Sequence, residues 1–435
     1  MAKITKDPIL VTDKQCHNIS TIVSTIAKDD IDFFAHIASS DKMEVRIFGC
    51  QTQDLHFQAD FTNIQRFISD IPKTFDSKIK AIILQVFEFT NKEYPNNIHF
   101  CEALKAKFDA CKIPYYFISD TNMMFLQPMA STITDVKFGE IIIVICSNGG
   151  FAFKVVCTKD GFKLLEIISI DDAKKDMKHF QKLFILTGKN HQKLMNIFKS
   201  KNPVLIDFID SDIFFKCLDD IKKWMLNKSY TKNYVIPLTA REYHIGYEFG
   251  KESHTLLMVK NNLVLPIEET KKCPKTSFNY FIAYKNDDIL VKYKFFKLDG
   301  DAHEFNITFK IDENNFPTYE IENIVQEYIV NFPKFCDSYK NEMIAFENYP
   351  IIGILANHSF ICINKNGKFE FLESWGGQWG NPLHISFDKK KPQFGEIAEE
   401  TLVKHGKYGV QGNFNLVVLE ITVFYRSHPN YVRRL

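Results

Sequence analysis

The chain has 435 residues, 45% of them hydrophobic, so it can form two or three domains with buried cores. Its 54 Lys and Arg residues balance its 53 Asp and Glu residues, and this composition gives no basis for a nucleic-acid-binding surface. The ten cysteines show no C-x-x-C or zinc-ligand spacing, and there is no signal region or membrane-spanning apolar run, so we expect a reduced, cytoplasmic protein.

Residues 43–118 predict an α/β unit. We expect a hairpin over 43–60, a helix over 61–77, a strand over 81–86, a helix over 95–111 and a strand over 115–118. Because strands alternate with helices along the chain, part of the sheet should be parallel.

A second α/β unit is predicted over residues 140–226. Tight turns at Gly149-Gly150 and Asp160-Gly161 separate three strands of a meander over 140–168. The elements expected after it are a helix over 171–181, a strand over 182–186, and helices over 189–200 and 210–226.

From residue 233 to residue 325 the pattern changes to short alternating strands, which is typical of a β-sandwich. These strands are predicted over 242–248, 254–259, 275–284, 288–297 and 303–311. Residues 319–345 are interpreted as a helix or linker, and residues 350–390 as further strands.

Short motifs over most of the chain carry a family resemblance at low identity. Residues 139–155 are similar to a phosphate-binding hairpin, residues 184–188 to an adenosine loop V-L-V-G-G-S-T-R, and residues 305–312 to the strand I-E-V-T-F-D-I-D. Residues 118–121 stand where the same family has I-N-E-P. Together these stretches resemble the 70-kDa heat-shock chaperone family.

The resemblance implies a fold class of α/β, with actin-like ATPase (ribonuclease H-like) lobes plus an all-β sandwich similar to a peptide-binding module. It implies a degenerate nucleotide-binding region over 1–228 that lacks one subdomain, a β-sandwich over 229–325 and a helix or linker over 326–349. Residues 350–435 resemble the start of the nucleotide-binding domain. They either pair back onto the first lobe, as in a circular permutation, or form a truncated second repeat.

The resemblance also identifies candidate nucleotide-binding residues: Lys14, as the catalytic lysine, and Gly149, Gly150, Gly188 and Gly353 in the loops. The first hairpin of the family reads G-I-D-L-G-T-T, whereas residues 353–359 read G-I-L-A-N-H-S, with Leu355 in place of the aspartate. The second hairpin, residues 146–154, has lost both acids of F-D-L-G-G-G-T-F-D. Since Mg²⁺ needs such carboxylates, we expect no catalytic residue, no metal and no cofactor. ATP with Mg²⁺ is the alternative, and Gly149-Gly150 also reads as a simple hairpin turn.

A second resemblance covers only one patch near the C-terminus. The run Asn357-His358-Ser359, followed by Glu373-Ser374-Trp375-Gly376, is similar to N-H-A and N-S-W-G of papain-like cysteine proteases. In that family the histidine is a general base oriented by the asparagine. Here Glu373 stands at the asparagine position and the nucleophile motif C-G-S-C-W is absent, so a protease is only a remote alternative.

The function implied by the main resemblance is ATP-independent, chaperone-like binding of unfolded or extended polypeptide by a pseudoenzyme. Candidate apolar contacts in the β-module are Leu256, Leu257, Phe278 and Phe281. The alternatives are a scaffold or adaptor without client binding and a weak ATP-binding chaperone. No nucleic-acid or membrane partner is expected, and the sequence makes no prediction of the oligomeric state.

Overall fold

The computed structural model describes residues 9–12, 29–39, 42–131, 136–147, 149–188, 190–207, 211–249, 252–275, 279–286, 288–298, 301–338, 349–355, 358–405 and 409–411. The chain divides into two compact units. Unit 1 contains residues 1–240, 261–267 and 311–316, and unit 2 contains residues 241–260, 268–310 and 317–435. The chain therefore passes between the two units several times.

The first lobe of unit 1 is a six-stranded sheet with two helices between its later strands. Its elements are β1 (Ile9–Thr12), β2 (Phe33–Ser39), β3 (Met43–Gly49), β4 (Leu55–Phe61), α1 (Ile64–Thr74), β5 (Ile79–Gln85), α2 (Asn97–Cys111) and β6 (Tyr115–Phe117). The strand order is β1-β4-β3-β2-β5-β6. Strands β2, β3 and β4 form an antiparallel meander, whereas β5 and β6 are added in parallel. The elements predicted between 43 and 118 are confirmed.

Strand β2 was not predicted, because its sequence does not alternate. All residues of its first part, Phe33 to Ile37, are buried. Phe33, Ala35 and Ile37 pack in one apolar cluster, and Phe34 packs in another. A strand covered on both faces shows a continuous apolar run, which is hard to assign from periodicity.

The second lobe of unit 1 begins after α3 (Asp120–Ser131). Its elements are β7 (Ile141–Cys146), β8 (Phe151–Thr158), β9 (Gly161–Ser169), α4 (Ile170–Lys175), β10 (Lys182–Leu186), α5 (His191–Ile197), β11 (Val204–Ile206) and α6 (Ser211–Leu226). The strand order is β11-β10-β7-β8-β9, with β7, β8 and β9 antiparallel and β10 and β11 parallel to their neighbours. The predicted meander and the strand over 182–186 are confirmed.

The two lobes have the same topology. In each lobe an antiparallel three-stranded meander is followed by a helix, a parallel strand, a second helix and a second parallel strand. If β2 and β7 are each counted as strand 1 of their lobe, the strand order in both sheets is 3-2-1-4-5. This repeat agrees with the pair of actin-like lobes expected from the sequence. The mixed α/β class of unit 1 therefore follows from the strand order itself.

The junction between the third strand of each meander and the next helix is short in both lobes. Only Thr62 and Asn63 separate β4 from α1, and Asn63 caps the helix by accepting a hydrogen bond from the Arg66 amide (2.9 Å). Strand β9 runs directly into α4, which Ser169 caps through the Asp172 amide (3.1 Å). Neither lobe thus carries an inserted subdomain at this point.

Three apolar clusters of described residues lie in unit 1, and the two largest pack on its sheets. The first places α1 and α2 on one face of the first sheet, and α1 contributes Ile64, Phe67, Ile68 and Ile71 at helical spacing. The second contains residues of both sheets together with α3 and α6, among them Phe34, Val144, Phe184 and Trp224. Burying one such side chain stabilises the fold by about 1.5–3 kcal/mol.

A buried carboxylate fixes the turn between β3 and β4. The Asp30 side chain has no exposed surface and accepts hydrogen bonds from the amides of Gln51 (2.8 Å) and Thr52 (3.0 Å). It also accepts a bond from the Thr52 hydroxyl, and its Oδ2 lies 2.8 Å from His56 Nε2. Burial raises the pKa of Asp30, but the bonds from Thr52, His56 and Gln51 outweigh it and hold the pKa below its ordinary value.

Unit 2 contains two sheets formed between residues 243 and 324. The strands are β12 (Tyr243–Phe249), β13 (Glu252–Val259), β14 (Ile267–Pro274), β15 (Tyr280–Asn286), β16 (Ile289–Phe296), β17 (Glu304–Ile311) and β18 (Pro317–Ile324). One sheet has the order β13-β12-β15-β16 and the other β14-β17-β18. Ring contacts join them, since Tyr243 lies 5.9 Å from Phe309 and Phe296 lies 4.6 Å from Tyr319.

The strand predictions for this region are confirmed at β12, β13, β15, β16 and β17. The assignment of residues 319–324 to a helix or linker is wrong, because they belong to β18. Helices α7 (Glu327–Val330) and α8 (Phe332–Ser338) follow that strand.

The last part of unit 2 consists of small sheets and one helix. Its elements are β19 (Ile351–Leu355), β20 (His358–Lys365), β21 (Lys368–Phe371), β22 (Asn381–Pro382), β23 (His384–Ser386), β24 (Gln393–Phe394), α9 (Gly395–Lys404) and β25 (Gly409–Gln411). Strands β19 to β22 form one sheet, and β23 to β25 form another. The sheet of the first lobe takes all its strands from residues 9–117. The hypothesis that residues 350–435 pair back to begin that lobe is therefore wrong for the described residues, because β19 to β25 pair only with one another.

Candidate functional site

The carboxyl ends of the parallel strands are where an α/β fold of this kind would bind a ligand. In each lobe of unit 1 the meander also places a hairpin there, between β2 and β3 in the first lobe and between β7 and β8 in the second. The sequence analysis assigned the first hairpin to Gly353 instead. The structure corrects this, because Gly353 lies within β19, opposite Phe360, and packs against the Phe332 ring.

The β7–β8 hairpin contains the predicted glycines Gly149 and Gly150. The amides of both donate to the Cys146 carbonyl, at 3.1 and 3.2 Å, and Gly150 has a positive φ of 71°. A phosphate cradle needs backbone amides that point towards the ligand. Since these two amides close the turn, the arrangement is that of a hairpin and not of a cradle.

His36 lies in the middle of β2, the strand of the first lobe that corresponds to β7 of the second. It is 1% exposed, its Nε2 lies 3.2 Å from Gln85 Oε1, and the Phe214 ring packs against it at 5.3 Å. Burial, with a smaller effect of the Arg46 charge, lowers the pKa of His36 to about 3. The imidazole is therefore neutral at physiological pH, where a magnesium site would need a carboxylate.

Hydrogen bonds connect His36 through Gln85 to Asp120. Gln85 Nε2 donates to Asp120 Oδ1 at 2.7 Å, and Asp120 begins α3 in the stretch that resembles I-N-E-P. In the comparison of residues 118–121 with I-N-E-P, Asp120 stands at the position of the glutamate. It binds a glutamine of its own fold, and within the described residues no group of three or more His, Cys, Asp or Glu side chains is arranged to hold a metal.

Gly188 follows β10 at the carboxyl edge of the second lobe. Its carbonyl accepts the His191 amide (3.2 Å) and lies 2.6 Å from His191 Nδ1, so it serves the start of α5. Ser147, beside the hairpin, is buried and donates to the Leu186 carbonyl at 2.7 Å. Both polar groups are thus bonded within the fold. Lys14, the remaining candidate for the nucleotide site, lies outside the described residues.

The candidate polypeptide contacts of unit 2 separate into two groups. Leu256 and Leu257 are half-buried on β13, which is an edge strand among the described residues, and the next residue, Met258, is 44% exposed. Phe281 on β15 is fully buried, so it belongs to the core. Phe278 lies outside the described residues.

The Phe281 ring is covered by an ion pair. Lys292 Nζ lies 4.7 Å from the ring centroid and 2.6 Å from Glu248 Oε1. On β12, Gly246 leaves the space that the ring fills, because a Cβ there would be 2.8 Å from Phe281 Cζ. The apolar contact that the sequence suggested is therefore closed by the protein itself.

The protease-like patch places its histidine in a buried strand. His358 is buried on β20, and burial lowers its pKa to about 4. Cys362 lies four residues further along the same strand, roughly 13 Å away, and its thiol is hydrogen-bonded to Cys336. Cys273, the third described cysteine of unit 2, is directed at the Lys271 carbonyl (3.7 Å). The patch also contains a bond from Trp375 Nε1 to Ser359 Oγ of 2.9 Å.

No family model matches the sequence, and no curated protein matches it. A Bacteroides thetaiotaomicron protein with an actin-like ATPase fold and unknown function is 11% identical over 44% of this chain and 96% of its own, with a TM-score of 0.25. A ROK family transcriptional regulator, a homologue of E. coli Mlc, is 10% identical over 46% and 81% of the two chains, with a TM-score of 0.29. YeaZ from Pseudomonas aeruginosa is 10% identical over 46% and 97%, with a TM-score of 0.25. These TM-scores are too low for the likenesses to carry an argument.

Proposed function

We propose that the protein is a degenerate relative of the 70-kDa heat-shock chaperones that binds extended polypeptide without ATP. The nucleotide part of this proposal rests on one observation. Strand β2, the first strand of the meander, carries no carboxylate: its one ionisable side chain is His36, which is buried and neutral and lies against Phe214. The inward amides of Gly149 and Gly150 support the same conclusion. Phosphoryl transfer depends on metal ligands and on amides directed at the phosphates, and the described residues of these two hairpins supply neither.

The polypeptide part of the proposal rests on β13. Its outer edge, which pairs with no strand among the described residues, offers backbone N–H and C=O groups to which an extended chain can add as a further strand. Leu256, Leu257 and Met258 give this edge an apolar character, because two are half-buried and the third is exposed. In this proposal the two sheets of unit 2 act as a sandwich that presents the edge.

A scaffold or adaptor without client binding is the second candidate. The covered position of Phe281 under Lys292 and Glu248 favours it, since the described chain closes this contact with its own side chains. The two candidates differ in whether a generic extended peptide binds at β13.

The nucleotide proposal is tested by calorimetric titration of the full chain with Mg-ATP and Mg-ADP. We expect no binding tighter than about 1 mM. Circular dichroism of the same sample shows that the protein is folded. One-to-one binding of either nucleotide at micromolar concentration would overturn the assignment as a pseudoenzyme.

The polypeptide proposal is tested by fluorescence anisotropy with a labelled, unstructured peptide that has an apolar centre and lysines at both ends. We expect Met258→Lys to weaken binding about tenfold or more, which corresponds to about 1.4 kcal/mol. The matched control is Phe295→Lys on β16, the opposite edge of the same sheet, where Phe295 is also exposed. No binding to the wild type would favour the adaptor, and equal losses in both variants would refute the β13 site.

A further inference from the structure

Two cysteines from separate elements of unit 2 meet in a small apolar cluster. Cys336 lies on α8 and is 2% exposed, and Cys362 lies on β20 and has no exposed surface. Phe369 completes the buried cluster, and Phe332, Ile351 and Phe371 pack against it. The two thiols are hydrogen-bonded to each other. Twenty-five residues of chain separate them in the sequence, so their contact is a tertiary one.

The hydrogen bond makes the two thiols chemically different. It raises the pKa of Cys336, together with burial and the Cys362 charge, and it lowers the pKa of Cys362. Thiolate is the reactive form of cysteine. Whichever sulfur is oxidised first, the other lies in the same cluster and is in place to resolve the product.

We infer that Cys336 and Cys362 are a redox-active pair that closes to a disulfide when the protein meets hydrogen peroxide, fastening α8 to β20. In the first step the thiolate of one cysteine attacks a peroxide oxygen. The O–O bond breaks, the leaving oxygen takes a proton and departs as water, and that cysteine becomes a sulfenic acid. In the second step the sulfur of the other cysteine attacks the oxidised sulfur, the S–O bond breaks and a second water leaves. Two thiols are oxidised and one hydrogen peroxide is reduced to two waters.

The disulfide would close a loop that contains β19 and the segment 339–348. A bond across a loop of this length constrains the unfolded chain, so oxidation should stabilise unit 2. Because both thiols are buried, the peroxide reaches them only when α8 moves away from the sheet. The reaction would therefore be slower than oxidation of an exposed cysteine and would respond to sustained oxidant.

The test is peptide mapping of the full chain after graded hydrogen peroxide, with free thiols blocked by iodoacetamide before digestion with trypsin. Cleavage after Lys334, Lys340 and Lys365 separates the two cysteines, so the disulfide appears as a cross-linked pair of the peptides 335–340 and 341–365. We expect this pair, with loss of two of the ten thiols, and its disappearance on treatment with dithiothreitol. The unfolding midpoint should rise by roughly 5–10 °C on oxidation and return on reduction.

Cys336→Ala and Cys362→Ala should each abolish both the cross-linked pair and the rise in the unfolding midpoint. Cys157→Ala is the control, because Cys157 is a half-buried cysteine of unit 1 and should leave both readouts unchanged. Wild-type protein that oxidises at Cys157 while Cys336 and Cys362 remain alkylated as free thiols would overturn the inference. Pairing of either cysteine with a different partner would also overturn it.

Discussion

Replacing Asp30 by Asn tests whether one buried carboxylate holds the first lobe together. The carboxylate accepts two backbone amides and the Thr52 hydroxyl and contacts His56, with no exposed surface. A hydrogen bond to a charged group contributes about 1.5–3 kcal/mol, and such bonds within one network are not additive. Asn keeps the shape and one acceptor oxygen but places an NH₂ group against donors. We expect the free energy of unfolding of unit 1 to fall by about 2–4 kcal/mol.

The assay is urea unfolding followed by tryptophan fluorescence. Trp224 is the one tryptophan of unit 1, since the other two, Trp375 and Trp379, belong to unit 2. A background with Trp375→Phe and Trp379→Phe therefore reports unit 1 alone. Asp29→Asn, at the exposed neighbouring position, is the matched control and should change stability by less than about 0.5 kcal/mol.

The pH dependence of the same experiment provides a second check. The folded pKa of Asp30 is held below its ordinary value of 3.8, so the unfolded chain binds more protons in this range. The stabilisation from Asp30 is thus complete above the ordinary value and is lost as the pH falls through the folded pKa. The difference between wild type and Asp30→Asn should shrink in acid. A cost below about 0.5 kcal/mol at pH 7, or a difference that stays constant into acid, would refute the reasoning.

Three further variants test other parts of the fold. The pKa of His358 is about 4 in the folded protein and 6.5 ordinarily, so the wild type should lose up to about 3 kcal/mol of stability as the pH falls from 6.5 to 4. His358→Gln should abolish this loss, and urea unfolding of unit 2 at several pH values measures it. Ser147→Ala should cost about 1 kcal/mol in the Trp224 assay, because the bond to the Leu186 carbonyl is lost, and an unchanged midpoint would show that water replaces the hydroxyl. Phe316→Ala should cost about 3–5 kcal/mol in the same assay, because the ring packs on Phe117 at 4.9 Å in the core of unit 1, and a cost below 1 kcal/mol would mean that the cavity collapses.

The sequence pattern predicts the amphipathic elements of this fold well and the central ones poorly. Helix α1 and the hairpin β3–β4 have one buried and one solvated face, so their periods are visible. Strand β2 has neighbours on both faces and edges, and nothing in Phe33–Ser39 marks it as the first strand of the lobe. For that reason the sequence favours a match between the family's opening motif and the residues around Gly353. Those residues are similar to the motif, but their strand, β19, pairs with β20.

The geometry of the candidate site depends on where backbone amides and side chains point, and the sequence alone does not determine this. Gly149-Gly150 is compatible with amides pointing outwards or inwards, and the bonds to the Cys146 carbonyl decide between them. Phe281 lies in a continuous apolar run, Tyr280–Tyr284, and the pair formed by Lys292 and Glu248 covers its ring. His36 carried no signal in the sequence, because its role follows from a strand that was not predicted.

The division of the chain between the units imposes an order on its synthesis. The sheets of unit 1 are complete at residue 206, yet residues 261–267 and 311–316 also belong to this unit. There Asn314 accepts the Phe117 amide (3.0 Å) and Asn315 donates to the Leu238 carbonyl (3.2 Å). A ribosome must therefore translate six β-strands of unit 2, β12 to β17, before the nascent chain can finish unit 1. Until residue 316 leaves the exit tunnel, the apolar surface around Phe117 stays uncovered on the growing polypeptide.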